Sequence, residues 1–194
     1  LAADNGDDPT RAKESDIRDF SAFYGLSLPL LKNGIPIMPV QLDNVVRFAN
    51  YLDDYKVLVL SYEFMKPQTP AINQALAEWV ANGGVLVYVG ANTDPFNLVP
   101  EWWNTGKNSY KSPSQHLFRQ LGLRRDIEPG AYEFGNGHVF VARKHPAYYT
   151  RSKEAADEYR SLIERAAEAA EISYEESNYL QLKRGPYIIA ACLN

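Results

Sequence analysis

Two stretches decide the fold of this chain, DYKVLVLS (54–61) and WVANGGVLVYVG (79–90). Each contains an unbroken apolar run, VLVL in the first and VLVYV in the second, which is typical of parallel strands buried on both faces. A helix that ends at Asn82-Gly83-Gly84 is predicted between the runs by apolar residues at helical spacing: Ile72, Leu76, Trp79 and Val80. Strand, helix and strand within about 35 residues predict a right-handed βαβ unit, and so a parallel sheet covered by helices.

Upstream of this unit the pattern adds two helices and an extended piece. The sequence predicts a helix over 15–31, which Pro29 shortens or kinks, and a short helix over 43–52. The extended piece covers 35–40 and contains two prolines, which cannot donate ladder hydrogen bonds. We therefore expect it at the edge of the sheet.

Downstream, Asn136-Gly137 is a strong hairpin signal between strand-like runs at 132–135 and 138–141. Helices are also predicted at 114–121 and 152–171, and two final strands at 179–183 and 187–193. The fold class is therefore α/β, a three-layer sandwich with a mostly parallel central sheet and added β-hairpins toward the C-terminus. No repeat or linker marks a boundary, so residues 1–194 are expected to be one domain, cut from a longer chain.

Composition narrows the classes of partner. The chain has 194 residues and a net charge of −4, which does not suit the phosphate backbone of a nucleic acid. Its apolar runs are shorter than the ~20 residues that cross a bilayer, so a soluble protein without a membrane partner is expected. Without a GxGxxG or P-loop motif, and with three histidines on different elements, neither a cofactor nor a metal is predicted. The single cysteine, Cys192, lies in an apolar strand and is expected in the core.

The order of elements resembles the flavodoxin-like fold of class I glutamine amidotransferases, especially the amidotransferase-like domains beside catalytic barrels in multidomain glycoside hydrolases. The resemblance lies in 54–61, in the helix that ends at Gly84, and in 85–90, which together match the pattern of a strand, a covering helix and a V-x-x-G-G-x-L-V strand. It covers about residues 20–90. An amidotransferase needs a cysteine nucleophile at the turn after the second strand.

At that turn this chain has Gly90-Ala91-Asn92-Thr93, with neither a cysteine nor a serine. The resemblance therefore implies a non-catalytic accessory domain of a carbohydrate-active enzyme, which assists oligomerisation or frames a neighbouring active site. The implied partners are a neighbouring catalytic domain or identical subunits.

Candidate site residues follow the two strands, because ligands of open parallel sheets bind outside the carboxyl ends of the strands. Tyr62 and Glu63 follow the first strand, and Asn92 and Asp94 follow the second. Glu63 and Asp94 could form an acid/base pair, since neighbouring carboxylates push their pKa values apart, and the chain would then be a small hydrolase. The alternative is that both carboxylates cap helices or face solvent.

The segment PFNLVPEWWNTGKNSY (95–110) is the most unusual part of the sequence. Sugars stack their apolar C–H faces on aromatic rings while amides and carboxylates bind their hydroxyls. A carbohydrate-binding module would therefore bind an oligosaccharide through these residues: Phe96, Trp102, Trp103, Asn104 and Tyr110, with Asn92 and Asp94. Exposed tryptophans also anchor protein interfaces, and buried ones pack a loop onto its sheet. The exposure of the two tryptophans separates these alternatives.

Overall fold

The computed structural model describes residues 14–63 and 65–193, with side chains from residue 21 onward. Its helices and strands alternate through most of the chain. The helices are α1 (Glu14–Leu31), α2 (Pro70–Ala81), α3 (Pro113–Gln120) and α4 (Lys153–Ala169), and the strands are β1 (Val57–Leu60), β2 (Val85–Val89), β3 (Gly130–Phe134), β4 (Gly137–Ala142), β5 (Tyr179–Arg184) and β6 (Tyr187–Cys192). Three short 3-10 helices lie between them: Leu42–Val46, Pro95–Leu98 and Pro146–Thr150.

The central sheet has four strands in the order β1-β2-β4-β3. β1 pairs with β2 in parallel, and β2 pairs with β4 in parallel, while β3 is antiparallel to β4 at the edge. The prediction of a mostly parallel central sheet is therefore confirmed. The two apolar runs that decide the fold are β1 and β2, and every residue of β2 is buried.

Helices cover both faces of this sheet. Successive strand residues point to opposite faces, so the apolar side chains of the strands divide between two core clusters. Leu58, Leu86 and Val139 face α2 and α3 in one core cluster. Val85, Val87 and Phe140 belong to a second cluster with residues of α1, α4 and the 3-10 helix Pro146–Thr150. The chain thus buries an apolar layer on each side of one sheet.

The proline-containing segment 35–40 forms no strand, contrary to the expectation of an edge strand. Ile35 and Ile37 pack against the α1 and α4 side, whereas Val40 packs against the α2 side. Between them, Met38 Sδ lies 3.2 Å from Oη of Tyr55, two residues before β1. Its prolines could not complete a hydrogen-bond ladder, and its apolar side chains pack against the two core clusters instead.

Two further predictions are corrected in their details. The predicted helix over 43–52 is only the 3-10 helix Leu42–Val46 followed by turns. The β3–β4 hairpin is confirmed, but its turn is Gly135-Asn136, one residue earlier than predicted. Gly135 adopts a left-handed φ of 60°, and Gly137 begins β4, where an added Cβ would lie 2.1 Å from Val80 O.

The predicted C-terminal strands form a separate two-stranded antiparallel hairpin, β5–β6, after the helix α4. Ser177 N donates to Asn33 O over 2.9 Å and ties the start of the hairpin to the end of α1. Nearly all hairpin side chains are exposed, and Cys192 is among them. The expectation of a core cysteine is therefore wrong, because its strand belongs to the hairpin and not to the central sheet.

Candidate functional site

The candidate site lies where β1 and β2 end. Tyr62 and Glu63 follow β1 after Ser61, and Asn92 and Asp94 lie in the turn that follows β2. The parallel register of the two strands places all four residues at the same edge of the sheet. The structure therefore brings together the residues that were predicted from the strand ends.

Glu63 holds the turn after β2. It is 5% exposed, and its Oε1 accepts a hydrogen bond of 2.7 Å from Asn92 N. Asn92 has a left-handed φ of 59°, a conformation that asparagine tolerates better than most residues. Glu63 Oε2 is buried and has no hydrogen-bond partner among the described residues. The Glu63 carboxylate thus fixes the turn that follows β2.

The side chain of Asn92 connects β2 to β4 and α3. A guanidinium only donates hydrogen bonds, so the Asn92 oxygen faces Arg143, with Nη1 and Nη2 at 3.1 and 3.3 Å. The Asn92 nitrogen then donates to Tyr88 Oη over 3.1 Å and to Ser114 Oγ over 2.9 Å. Burial raises the pKa of Tyr88, so its phenol stays protonated. Both the oxygen and the nitrogen of the Asn92 amide therefore have hydrogen-bond partners.

Asp94 is committed to structural contacts. Its Oδ1 accepts from Phe96 N over 2.9 Å and caps the 3-10 helix Pro95–Leu98, and its Oδ2 pairs with Lys66. Lys66 Nζ also donates to Tyr62 O. Because both carboxylate oxygens are engaged, Asp94 has the capping role that was the alternative to an acid/base pair with Glu63.

The two tryptophans pack against the body of the domain. Trp103 is 3% exposed and donates through Nε1 to Asn97 O over 3.1 Å. Trp102 is half-buried and donates through Nε1 to Pro67 O over 2.8 Å. The rings meet edge to face, with centroids 5.6 Å apart. A pair of exposed indole faces, which the carbohydrate-binding alternative requires, is therefore not present.

Amide side chains hold the loop in shape. Asn104 Nδ2 donates to Asn97 O over 3.2 Å and to Val99 O over 2.9 Å, and its Oδ1 accepts from Glu101 N over 2.8 Å. Asn108 Nδ2 donates to Trp102 O. Asn104, predicted as a ligand-binding residue, thus bonds the backbone of its own loop.

The remaining predicted aromatic residues differ in exposure. Tyr110 is 6% exposed, and its ring lies 4.7 Å from the Arg125 guanidinium while its Oη accepts from Arg119 Nη1 over 3.0 Å. Phe96 is 57% exposed. Of the predicted aromatic ligands, Phe96 offers the most open ring.

A buried asparagine that the sequence reasoning missed links the site to the helices. Asn73 is 0% exposed, and its Oδ1 accepts from Tyr62 Oη over 2.6 Å. Its Nδ2 donates to Pro113 O over 3.0 Å and lies 3.1 Å from His116 Nδ1. The signal for this residue is an amide beside the apolar stripe of α2, three residues before Leu76.

These contacts fix the tautomer of His116. Asn73 Nδ2 can only donate, so His116 Nδ1 accepts and the ring proton lies on Nε2, which is 3.0 Å from the Gln120 side chain. The ring also packs edge to face against Trp102 and Tyr110. Burial, and then the positive charge of Arg119, lowers the pKa of His116 below its ordinary value of 6.5.

This lowered pKa predicts a loss of stability in mild acid. The unfolded chain binds a proton at this histidine near pH 6.5, whereas the folded chain resists it, so the free energy of unfolding falls as the pH drops below 6.5. Urea unfolding between pH 7 and pH 5 should show a smaller decline for His116→Gln than for the native chain. An equal decline in both proteins would contradict the neutral, buried histidine.

An open cleft of about 460 Å³ lies beside this network. Two segments line the cleft. The segment after β1 contributes Lys66, Pro67 and Gln68, and the segment after β2 contributes Phe96, Val99, Glu101 and Trp103. Among the described residues, no group of three histidine, cysteine, aspartate or glutamate side chains could hold a metal ion. No helix in the described part of the chain is long and apolar enough to span a membrane.

The fold and the site together define a mixed α/β domain with a mostly parallel four-stranded sheet, strand-end polar groups bonded to one another, and a separate antiparallel hairpin near the C-terminus. Comparison of the chain with protein-family models, with curated proteins and with solved structures finds no match.

Proposed function

We propose that this chain is a non-catalytic accessory domain that mediates assembly, with the flavodoxin-like arrangement of class I amidotransferase-like domains. The resemblance in 54–90 supports a setting within a carbohydrate-active enzyme. The exposed β5–β6 hairpin is the observation that carries the assembly role. The contacts of Asn92 and Asp94 support the absence of chemistry, because an amide fills the nucleophile position and both oxygens of the aspartate are engaged.

One face of the hairpin is almost entirely apolar. Directly opposite residues of an antiparallel pair share a face, so the pairing places six residues together, which we call the hairpin face: Leu180, Leu182, Arg184, Tyr187, Ile189 and Ala191. Leu182 is 50% exposed, Ile189 55% and Tyr187 71%. A two-stranded hairpin is marginally stable in water by itself, so a partner that covers this face would stabilise it.

Charge favours a second copy of the chain as that partner. Residues 179–192 contain Lys183 and Arg184 and no acidic residue. The full chain has 20 basic and 24 acidic residues. Without Lys183 and Arg184, 18 basic residues remain, so the rest of the chain carries a net charge of −6. The basic hairpin of one copy is therefore attracted to the acidic remainder of a second copy. A second copy thus supplies the opposite charge without a partner of a different sequence.

Polar substitutions on the hairpin face should weaken self-association. We expect the native chain to form a dimer. Its dissociation constant should rise about tenfold or more in Leu182→Thr/Ile189→Thr, because each substitution removes apolar area from the contact. Threonine is chosen because it still suits a strand. Sedimentation equilibrium over a range of concentrations measures the change. Higher salt should also weaken the dimer by screening the charge attraction.

The matched control lies on the opposite side of the same strands. Gln181 and Ala190 pair with each other on that side, so Gln181→Thr/Ala190→Thr should leave the dimer intact. A native chain that is monomeric at every concentration would overturn the proposed assembly with a second copy, as would a control variant that dissociates as readily as the hairpin-face variant.

A further inference from the structure

The cleft between the two loops at the strand ends has the position and the construction of a ligand site. It lies outside the carboxyl ends of β1 and β2, where open α/β sheets bind their ligands. Its volume of about 460 Å³ is within the range of roughly 300–1,000 Å³ that is usual for small-molecule pockets. The cleft is distant in sequence from the hairpin face and does not depend on the assembly role.

Two side-chain contacts join the segments that border the cleft, which we call its walls. Trp102 Nε1 donates to Pro67 O over 2.8 Å and joins the wall of 96–103 to the wall of 66–68. Lys66 forms an ion pair with Asp94, which lies just before the wall of 96–103. A ligand would therefore meet a preformed site and would not have to order the loops.

The lining combines an exposed aromatic ring with hydrogen-bonding side chains. Phe96 is 57% exposed although its loop is fixed, and Val99 beside it is 43% exposed. Glu101, in the same wall as Phe96, and Gln68, in the wall of 66–68, are also exposed. The Gln68 amide can donate and accept hydrogen bonds, and the Glu101 carboxylate can accept them from hydroxyl groups, whereas the ring offers an apolar face.

The charge of the cleft favours a neutral ligand. Lys66 is already neutralised by Asp94, which leaves Glu101 as the one other charged group of the lining. A phosphate or carboxylate ligand would meet no free cation there, and a cation would meet a single exposed carboxylate. A neutral, polyhydroxylated molecule matches both the ring and the polar groups.

We propose that this cleft binds a neutral oligosaccharide, with one sugar ring stacked on Phe96 and its hydroxyls bonded to Gln68 and Glu101. The site differs from the one that the sequence suggests, because Trp103 is only 3% exposed and Trp102 joins the walls through its hydrogen bond to Pro67. Phe96 takes the stacking role.

Isothermal titration calorimetry of the full chain with cellotetraose, xylotetraose and maltotetraose tests this site. We expect saturable binding of at least one of these sugars and a loss of about tenfold or more in affinity for Phe96→Ala, since burial of one aromatic side chain contributes about 1.5–3 kcal/mol. Glu101→Gln should retain part of the affinity, because the amide still bonds hydroxyls.

Leu98→Ala is the matched control, because Leu98 is 82% exposed in the same 3-10 helix but does not line the cleft. The affinity of the Leu98→Ala variant for the sugar should equal that of the native chain. Flat titrations at millimolar concentrations of all three sugars, or equal losses in Phe96→Ala and Leu98→Ala, would overturn the proposal. The hairpin-face variant should bind sugar normally, so failure of the assembly role and failure of this site are distinguishable.

Discussion

Replacement of Asn73 by alanine is expected to lower the free energy of unfolding by about 3–5 kcal/mol, although the side chain is small and polar. The change leaves Tyr62 Oη, Pro113 O and His116 Nδ1 without their shared partner in a buried environment. Each unsatisfied buried group costs about 1–3 kcal/mol. Because whole domains are stable by only about 5–15 kcal/mol, the effect should be plain in the urea midpoint measured by circular dichroism.

A double-mutant cycle shows whether the loss comes from the unsatisfied partners. Tyr62→Phe removes the hydroxyl that Asn73 binds, so Asn73→Ala should cost less in the Tyr62→Phe background than in the native chain. Gln74→Ala, at the exposed neighbouring position of α2, should change stability by less than about 0.5 kcal/mol. Strictly additive costs of the two substitutions would contradict the described network.

Replacement of Gly25 by alanine is expected to destabilise the domain by about 2–3 kcal/mol, the reverse of the usual effect in a helix. Alanine normally stabilises a helix interior by about 1 kcal/mol relative to glycine. At Gly25 an added Cβ would lie 2.2 Å from Pro146 O and 2.7 Å from Ala147 N. These are backbone atoms, so no rotamer change relieves the overlap, and α1 must separate from the 3-10 helix Pro146–Thr150.

The separation should also loosen the core beneath that contact. Tyr149 in the 3-10 helix is 1% exposed and packs on Tyr159 with ring centroids 4.9 Å apart. Thermal unfolding of Gly25→Ala, with near-ultraviolet circular dichroism to follow the tyrosines, measures both effects. Phe23→Ala removes a side chain that is 46% exposed from the same helix and should have a smaller effect. A stabilised Gly25→Ala protein would contradict the close approach of α1 to Pro146.

The central unit of the fold could be predicted because its signal is local and strong. The apolar runs at 57–60 and 85–89, with a helical stripe and a glycine stop between them, leave few alternatives to two parallel strands joined by α2. The extended segment 35–40 was harder to predict, because its apolar residues suit either a strand or an irregular segment packed on the core. Only its packing against the two core clusters decides between them.

The candidate site shows the same division. The strand-end rule found Glu63, Asn92 and Asp94, since the ends of adjacent parallel strands must lie together. It did not find Arg143, because the pairing of β4 with β2 joins segments about 50 residues apart, and a local pattern carries no information on such pairing. The burial of Trp103 was equally beyond a local pattern, since an indole suits a core, an interface or a sugar site.

The sequence by itself determined the class of the fold, the edge of the sheet at which polar residues gather, and the absence of a cysteine or serine from the turn 90–93. These features depend on short-range patterns, which the spacing of apolar residues and turn residues encodes directly. Only the tertiary structure decided that Asp94 pairs with Lys66, that Asn73 links Tyr62 to α3, and that the last two strands lie outside the central sheet. The physical reason is that burial and hydrogen-bond partners depend on which distant segments pack together. That packing depends on all the residues of the core and not on any one local stretch of sequence.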